Sequence, residues 1–365
     1  MPDVDPGPPR SVLLTGATGY LGGSLLADLL VRTPAHVHCL VRQRPGRDAH
    51  AELAATVTAL GVDRAQLGRI HIVDGSLARP RLGMDPATYE RLAQEVDAVY
   101  HCGAWVNLVV DYSYLRGSNV GGTVEVLRFA THVRRIPVHH VSTLTVLTNA
   151  FRTGDSAVGE DRQLPPPVSV GYCQSKWVAE HLVARAAQRG TPVTVHRPAV
   201  VLPDSRTGRS APADWFLLLT AASIRVGCSP DYAFQLPVGT VDYTSRCIVD
   251  LSLDPAAAGH AFHVVDPQPM PLGEYFRRVA ACGQPLPAVP YEHWLKSVRH
   301  VGQDLPVGTL QLAENLPHIL PGSQGTAHAA TDNLVRLLGS RLRPPTLDQD
   351  YFRLLLAQLP SGDRV

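Results

Sequence analysis

The stretch LLTGATGYLGGSLLADLL, Leu13 to Leu30, decides how the rest of the chain is read. Gly16, Gly19 and Gly22 stand at fixed spacing between a short apolar run and a longer, helix-like apolar run. Glycines placed there let a chain turn tightly, bring backbone N–H groups up to a pyrophosphate, and let the following helix pack closely on a sheet. The pattern is G-x-x-G-x-x-G rather than the ordinary G-x-G-x-x-G. It follows a strand-like run and opens a helix, which is the context such a cradle requires.

Outward from that turn, short β-branched runs alternate with helix-like stretches. The candidate strands are Ser11–Gly16, His36–Val41, Arg69–Gly75, Asp97–Ala104, Val138–Thr143, Val193–Pro198 and Ala261–Asp266. Helical periods cover Gly22–Val31, Ala49–Leu60 and Asn119–His132. Strands separated by helices of this length read as βαβ units, so the fold class is α/β, a Rossmann-type doubly wound parallel sheet. Beyond Pro198 the rhythm loosens, and a smaller, mostly helical C-terminal substrate region is expected.

Composition narrows the function. The 365 residues are 45% hydrophobic with a formal charge of +1, which speaks against nucleic-acid or anionic-membrane surfaces. The opening MPDVDPGPPR is polar and proline-rich, unlike a signal peptide, and no apolar run approaches a membrane span. Six scattered cysteines without a CxxC pair fit a reduced, cytoplasmic protein. Sixteen histidines form no HExxH or mixed Cys/His ligand set, so no metal is expected.

The second strand ends CLVRQRPGR, and no acidic residue lies between Asp28 and Asp48. An NAD enzyme usually places Asp or Glu there for the ribose 2′-hydroxyl. Arg42 at that strand's end, with Arg44 and Arg47 close behind, suits a 2′-phosphate instead, through charge-assisted hydrogen bonds. The expected cofactor is NADPH. Residues 11–202 then read as the NADP-binding domain, with a strand returning near 240–266. Residues 1–10 read as a flexible end, and 203–239 with 267–365 as the substrate-binding region.

Tyr172 and Lys176 in GYCQSKWVAE are four apart, hence on one helix face. A cation beside a phenol favours the phenolate and lowers its pKa, making Tyr172 a general acid for a carbonyl oxygen. Ser142 and Thr143 close a strand at the edge where parallel sheets bind ligands. Thr143 is the expected catalytic hydroxyl and Ser142 the fallback, holding developing negative charge.

With the glycine turn, NVGGT at Asn119–Thr123, Thr143, Tyr172 and Lys176 in place, the chain resembles the extended short-chain dehydrogenase/reductase family. HCGAWVNLVVDYSYLRGSNVGGTVEVLRFA, VGYCQSKWVAEHLV and DSRTGRSAPADWFLLLTAASIRVGCSPD resemble thioester reductase domains. Such domains terminate nonribosomal peptide and polyketide assembly lines, and related ones end carboxylic acid reductases. The resemblance runs from Ser11 to the helical tail near Leu359. It implies NADPH-dependent reduction of an acyl or peptidyl thioester, delivered on the phosphopantetheine arm of a carrier protein, to an aldehyde or on to an alcohol. It implies catalysis by Thr143, Tyr172 and Lys176. Cofactor contacts would come from Thr15, Gly16, Thr18, Gly19, Tyr20, Leu21, Gly22, Arg42, Gly75, Ser76, Leu77, Ala104, Asn119, Tyr172 and Lys176. A monomer, without nucleic-acid or membrane partners, is expected.

Two positions depart from the family pattern. Relatives commonly carry Gly-Asp-Leu where this chain has Gly75-Ser76-Leu77, and Leu147 stands where many extended reductases have tyrosine. LGGSL, Leu21 to Leu25, imitates a carrier attachment site but lacks the intervening residue. With no carrier domain before Ser11, a stand-alone reductase or an excised terminal domain is expected. WFLLLT at Trp215–Thr220 suits either an acyl or carrier surface or a buried helix face. The rival functions are a reductase or epimerase acting on a free carbonyl or nucleotide sugar, and a non-catalytic NADP-binding sensor.

Overall fold

The computed structural model describes residues 7–359 apart from 44, 153–156, 212–213, 284 and 320–327. Arg44 and most of the N-terminal decapeptide therefore lie outside the described residues. Seven parallel strands form the central sheet: β1 (Ser11–Thr15), β2 (His36–Val41), β3 (Ile70–Asp74), β4 (Ala98–His101), β5 (Val138–Val141), β6 (Val193–Pro198) and β7 (Ala261–Val264). Their spatial order is 7-6-5-4-1-2-3. The strand order reverses between β1 and β4, the switch point at which a crevice opens at the strands' C-terminal ends. Every run singled out by β-branched composition supplies one of these strands, because a strand buried on both faces must be apolar nearly throughout.

Helices cover both faces. Helix α1 (Tyr20–Arg32) buries Leu25, Leu26, Leu29 and Leu30 against the sheet. Further helices follow as α2 (Ala49–Ala59), α3 (Pro86–Glu95), α4 (Tyr112–Arg116) and α5 (Gly122–Ala130). The expected single helix over Asn119–His132 proves longer and irregular: α4 and α5 are joined by a π turn, Gly117–Gly121. Next come α6 (Thr148–Arg152), α7 (Gly171–Gln188), α8 (Trp215–Val226) and α9 (Val241–Ser252). Asp28 of α1 accepts a hydrogen bond from Ser245 of α9, and Arg32 pairs with Asp250, so α9 lies back against the first helix.

The second core is helical. Helices α10 (Leu272–Ala280), α11 (Tyr291–His300) and α12 (Thr309–Ile319) pack around α8, with α14 (Gln349–Leu356) after the short α13 (Asp332–Leu338). Trp294, Tyr275 and Phe352 are fully buried there. Their polar tips are satisfied: Trp294 Nε1 donates to Ser223 at 3.1 Å, and the Tyr275 hydroxyl meets Thr220 at 2.9 Å. Phe216 to Thr220 of the Trp215–Thr220 run are buried, and Phe216 and Leu219 also line a small apolar cavity. Among the described residues no helix is long and apolar enough to cross a membrane.

Candidate active site

Because all seven strands run the same way, the loops after β1 to β5 converge on one edge. The turn after β1 is closed by the Gly19 N–H donating to the Gly16 carbonyl at 2.9 Å. Gly16 takes φ = +82°, and a Cβ on it would lie 2.7 Å from Gly103 in the loop after β4. A side chain on Gly22 would collide with the Gly16 carbonyl oxygen. Only glycine fits at 16 and 22, and the backbone is left bare toward the crevice. Gly103 and Gly122 in turn admit Leu77, which a Cβ at either position would strike at 2.7 and 2.8 Å.

A directed hydrogen-bond chain fastens these loops. The Gly103 N–H donates to the Thr15 hydroxyl at 3.0 Å, which meets His101 Nδ1 at 2.9 Å. His101 Nε2 lies 3.1 Å from the Thr123 hydroxyl, which donates to the Asn119 carbonyl at 2.7 Å. Since Thr123 spends its proton on a carbonyl, His101 must donate from Nε2 and accept at Nδ1. Burial, aided by Lys176, lowers His101 to about 3, so the ring stays neutral. The Asn119 amide grips Trp105 at both backbone N and O, 2.7 and 3.1 Å, and donates to Ser175 of α7 at 2.9 Å. Asn119 thus ties the loop carrying Ala104 to the helix carrying Tyr172.

Thr18, Arg42, Arg47 and Glu52 line one cleft after β2. Within it Arg47 makes a forked pair with Glu52 at 2.7 and 2.6 Å. Arg42 is exposed and has no ion pair among the described residues. The Gln43 N–H donates to Asp74 at 3.2 Å. Gly75 packs where a Cβ would strike Leu40, and its N–H donates to Val41 at 3.1 Å. Ser76 shapes its own turn, its hydroxyl accepting from the Ala78 N–H at 3.4 Å.

Two expected cofactor residues have side chains used within the protein. The Tyr20 hydroxyl donates to the Leu202 and Arg209 carbonyls at 3.1 and 2.8 Å, beneath the Arg209 guanidinium. Leu21 packs against the core below the sheet.

Helix α7 presents Tyr172, Lys176 and Glu180 on one face, at four-residue steps. Lys176 is buried and donates to the Val141 carbonyl at 2.6 Å. Burial brings its ammonium down to about 8, with Cys102 and Glu180 acting the other way. Tyr172 is buried as well, and burial raises its phenol well above the ordinary value, with Cys173 and Cys102 adding to the rise. The depressed tyrosine pKa expected from the Tyr–Lys spacing is therefore not found: every influence on the phenol raises it, desolvation most of all. A protonated phenol at neutral pH is nonetheless the form that donates.

Glu180 was not singled out in the sequence, although its spacing from Lys176 repeats that of Lys176 from Tyr172. It accepts from Ser142 at 2.5 Å and pairs with the buried Arg197 guanidinium, whose Nε lies 3.0 Å away. The fallback hydroxyl is thereby spent. Thr143, next in the chain, caps the Leu144–Leu147 turn. Among the described residues no group of His, Cys, Asp and Glu gathers as a metal site.

A family model described as "male sterility protein" matches residues 14–248. A component of the linear gramicidin synthase of Brevibacillus parabrevis is 35% identical over 360 residues, 96% of this chain and 7% of that protein. Among solved structures, the terminal R domain from the myxalamid PKS-NRPS biosynthetic pathway is 34% identical with a TM-score of 0.85, covering 96% of this chain and 90% of that one. The reductase (R) domain of a nonribosomal peptide synthetase from Mycobacterium tuberculosis is 26% identical with a TM-score of 0.76, covering 96% and 92%. The chain spans less than a quarter of the length of the first curated relatives.

Proposed function

The chain belongs to the male sterility protein family, and from that membership we propose that it reduces a carrier-bound acyl or peptidyl thioester to an aldehyde with NADPH, releasing the chain. It is an oxidoreductase of the extended short-chain dehydrogenase/reductase type, with a nicotinamide cofactor. The observation that most supports the thioester reading is the likeness to the myxalamid R domain over 96% of the chain, the helical C-terminal lobe included. The dinucleotide half alone would serve many chemistries.

The bare glycine turn and Arg42, which has no ion pair among the described residues, fit a dinucleotide with a 2′-phosphate, which favours NADPH over NADH. When bound, the nicotinamide supplies hydride to the thioester carbon. Tyr172, protonated because it is buried, gives its proton to the carbonyl oxygen. Thr143 donates a hydrogen bond to that oxygen while charge develops. Lys176, fixed on the Val141 carbonyl and on the same helix face as Tyr172, would hold the nicotinamide ribose and supply positive charge there. The hemithioacetal then breaks its carbon–sulfur bond, the thiol leaves with a proton, and aldehyde is released. A second round on the aldehyde yields an alcohol. We assign the thiol to the phosphopantetheine arm of a carrier protein.

The test is NADPH oxidation against acyl thioesters on pantetheine, CoA and carrier protein, with products identified by mass. Turnover to aldehyde or alcohol, lost in Tyr172→Phe, supports the reading. Tight NADPH binding with no thioester turnover overturns it in favour of a free carbonyl substrate or a non-catalytic role.

A further inference from the structure

The Thr143 hydroxyl oxygen is approached by two donors from one residue. The Thr145 N–H lies 3.3 Å away and the Thr145 hydroxyl 3.2 Å away. A hydroxyl has two lone pairs and one proton. With both lone pairs taken, the remaining bond that Thr143 is able to make is a donation outward.

We infer that Thr145 is a positioning residue, which holds Thr143 as a one-way hydrogen-bond donor toward the substrate carbonyl oxygen. This rests on the carbonyl-reduction reading above. The turn that carries Thr145 is itself locked, its carbonyl accepting from the Thr148 hydroxyl at 2.9 Å. Ser142 gives no alternative donor, because its proton goes to Glu180.

Behind Thr145 lies helix α7. The buried Cys173 thiol is hydrogen-bonded to the Thr145 hydroxyl, which acts to lower the thiol while burial pushes it up to about 11. Cys173 directly follows Tyr172. Tyr172 is thus carried by helix α7, and Thr143 is held by Thr145, which rests against the next residue of that helix. An oxyanion donor is effective because its orientation is settled before charge develops, and Thr145 settles it here.

The experiment compares wild type, Thr145→Val, Thr145→Ser, Thr143→Val and the Thr143→Val/Thr145→Val double variant, using octanoyl-pantetheine and octanal with NADPH. Thr145→Val is expected to lower kcat on the order of 10-fold or more, short of the roughly 10²–10³ lost when a donor is removed outright. KM and NADPH affinity are expected to stay near wild type. Thr145→Ser, which keeps both donors, is expected to retain most of the rate. The double variant is expected to be no slower than Thr143→Val, because two residues acting through one group are not additive. A Thr145→Val enzyme as fast as wild type, a Thr145→Ser enzyme as slow as Thr145→Val, or full additivity overturns the inference. If wild type reduces neither compound, the reduction reading fails separately. The positioning claim is then decided by the Thr143 rotamer in a Thr145→Val crystal structure, where an unmoved side chain overturns it.

Discussion

The Lys176 ammonium donates to the carbonyl of Val141, the last residue of β5, at 2.6 Å. That bond joins helix α7 to the strand whose end supplies Ser142 and Thr143. It also holds a cation in a site that burial makes unfavourable for it, with its pKa brought down to about 8. Turnover that needs the ammonium is expected to fall through an apparent pKa near 8 as pH rises. A rate profile from pH 6 to 10, with NADPH affinity followed in parallel, checks this. A flat profile through pH 9 would count against a cationic Lys176.

Tyr172→Phe removes one oxygen from a buried ring and leaves its packing in place. Loss of a general acid is expected to cost about 10²- to 10⁴-fold in kcat, with NADPH binding retained. Stopped-flow hydride transfer and a fluorescence titration separate the two effects. Weakened cofactor binding with an unchanged rate would assign Tyr172 to binding alone.

Arg42→Ala is expected to weaken NADPH by roughly 10- to 100-fold while leaving NADH nearly unaffected, the scale of one charge-assisted hydrogen-bond pair. Arg47→Ala is expected to change the preference little, because Arg47 is held by Glu52. Dissociation constants for both cofactors with both variants decide it. Equal losses for NADPH and NADH in Arg42→Ala would remove the 2′-phosphate assignment.

Arg197 and Glu180 form a buried pair, 4% and 5% exposed, and Ser142 hangs from it. Truncating one partner leaves the other charge unpaired, a cost of about 3–5 kcal/mol. Arg197→Ala is therefore expected to lose much of the stability of the fold. Chemical denaturation measures the difference, and a loss below about 1 kcal/mol would mean the remaining carboxylate had found water.

Acid is expected to destabilise the protein from about pH 6.5 downward. Burial lowers His101 and His263 to about 3, His38 and His139 to about 4, and His140 and His196 well below the ordinary value. These rings are neutral when folded and protonate when unfolded, so between pH 6.5 and 4 the unfolded chain binds more protons and stability drops with pH. Glu160 near 7 and Asp28 and Asp214 near 6 work the other way, because burial lets them protonate in the folded state first. Burial also lowers His71 and raises Asp266, so seven imidazoles against four carboxyls leave the histidine sign in control. Unfolding free energies at pH 7, 6, 5 and 4.5 test it, and stability that rises on acidification would contradict it.

The sheet was legible because each strand is a short β-branched run bounded by turn residues, a property of local sequence. The convergence of the loops after β1 to β5 was legible through the parallel order, which sends them to one edge. Side-chain commitments were less so. Arg47 pairs with Glu52, Tyr20 reaches the Leu202 and Arg209 carbonyls, and Glu180 accepts the Ser142 hydrogen bond. Each depends on a neighbour that only tertiary packing supplies. The sign of the Tyr172 shift was missed for the same reason: four-residue spacing reports proximity to Lys176 but not how much water both groups lose. The expected helix began at Asn119, inside the Gly117–Gly121 π turn, so neither α4 nor the start of that turn was read.

That π turn fixes an angular phase. A regular helix advances about 100° per residue, and a π turn inserts one residue without ending the helix. Upstream, the backbone at Tyr112 lies so close to α7 that a Cβ on Gly171 would stand 2.5 Å from its nitrogen. Downstream, Gly122 receives Leu77 and Thr123 meets His101. One unbroken stripe would not aim both halves correctly; the inserted residue rotates the second half relative to the first. The count of residues from Tyr112 to Thr123 is therefore as constrained as their identities, and a single-residue deletion there would swing one half of the segment away from its partner while leaving a more regular helix.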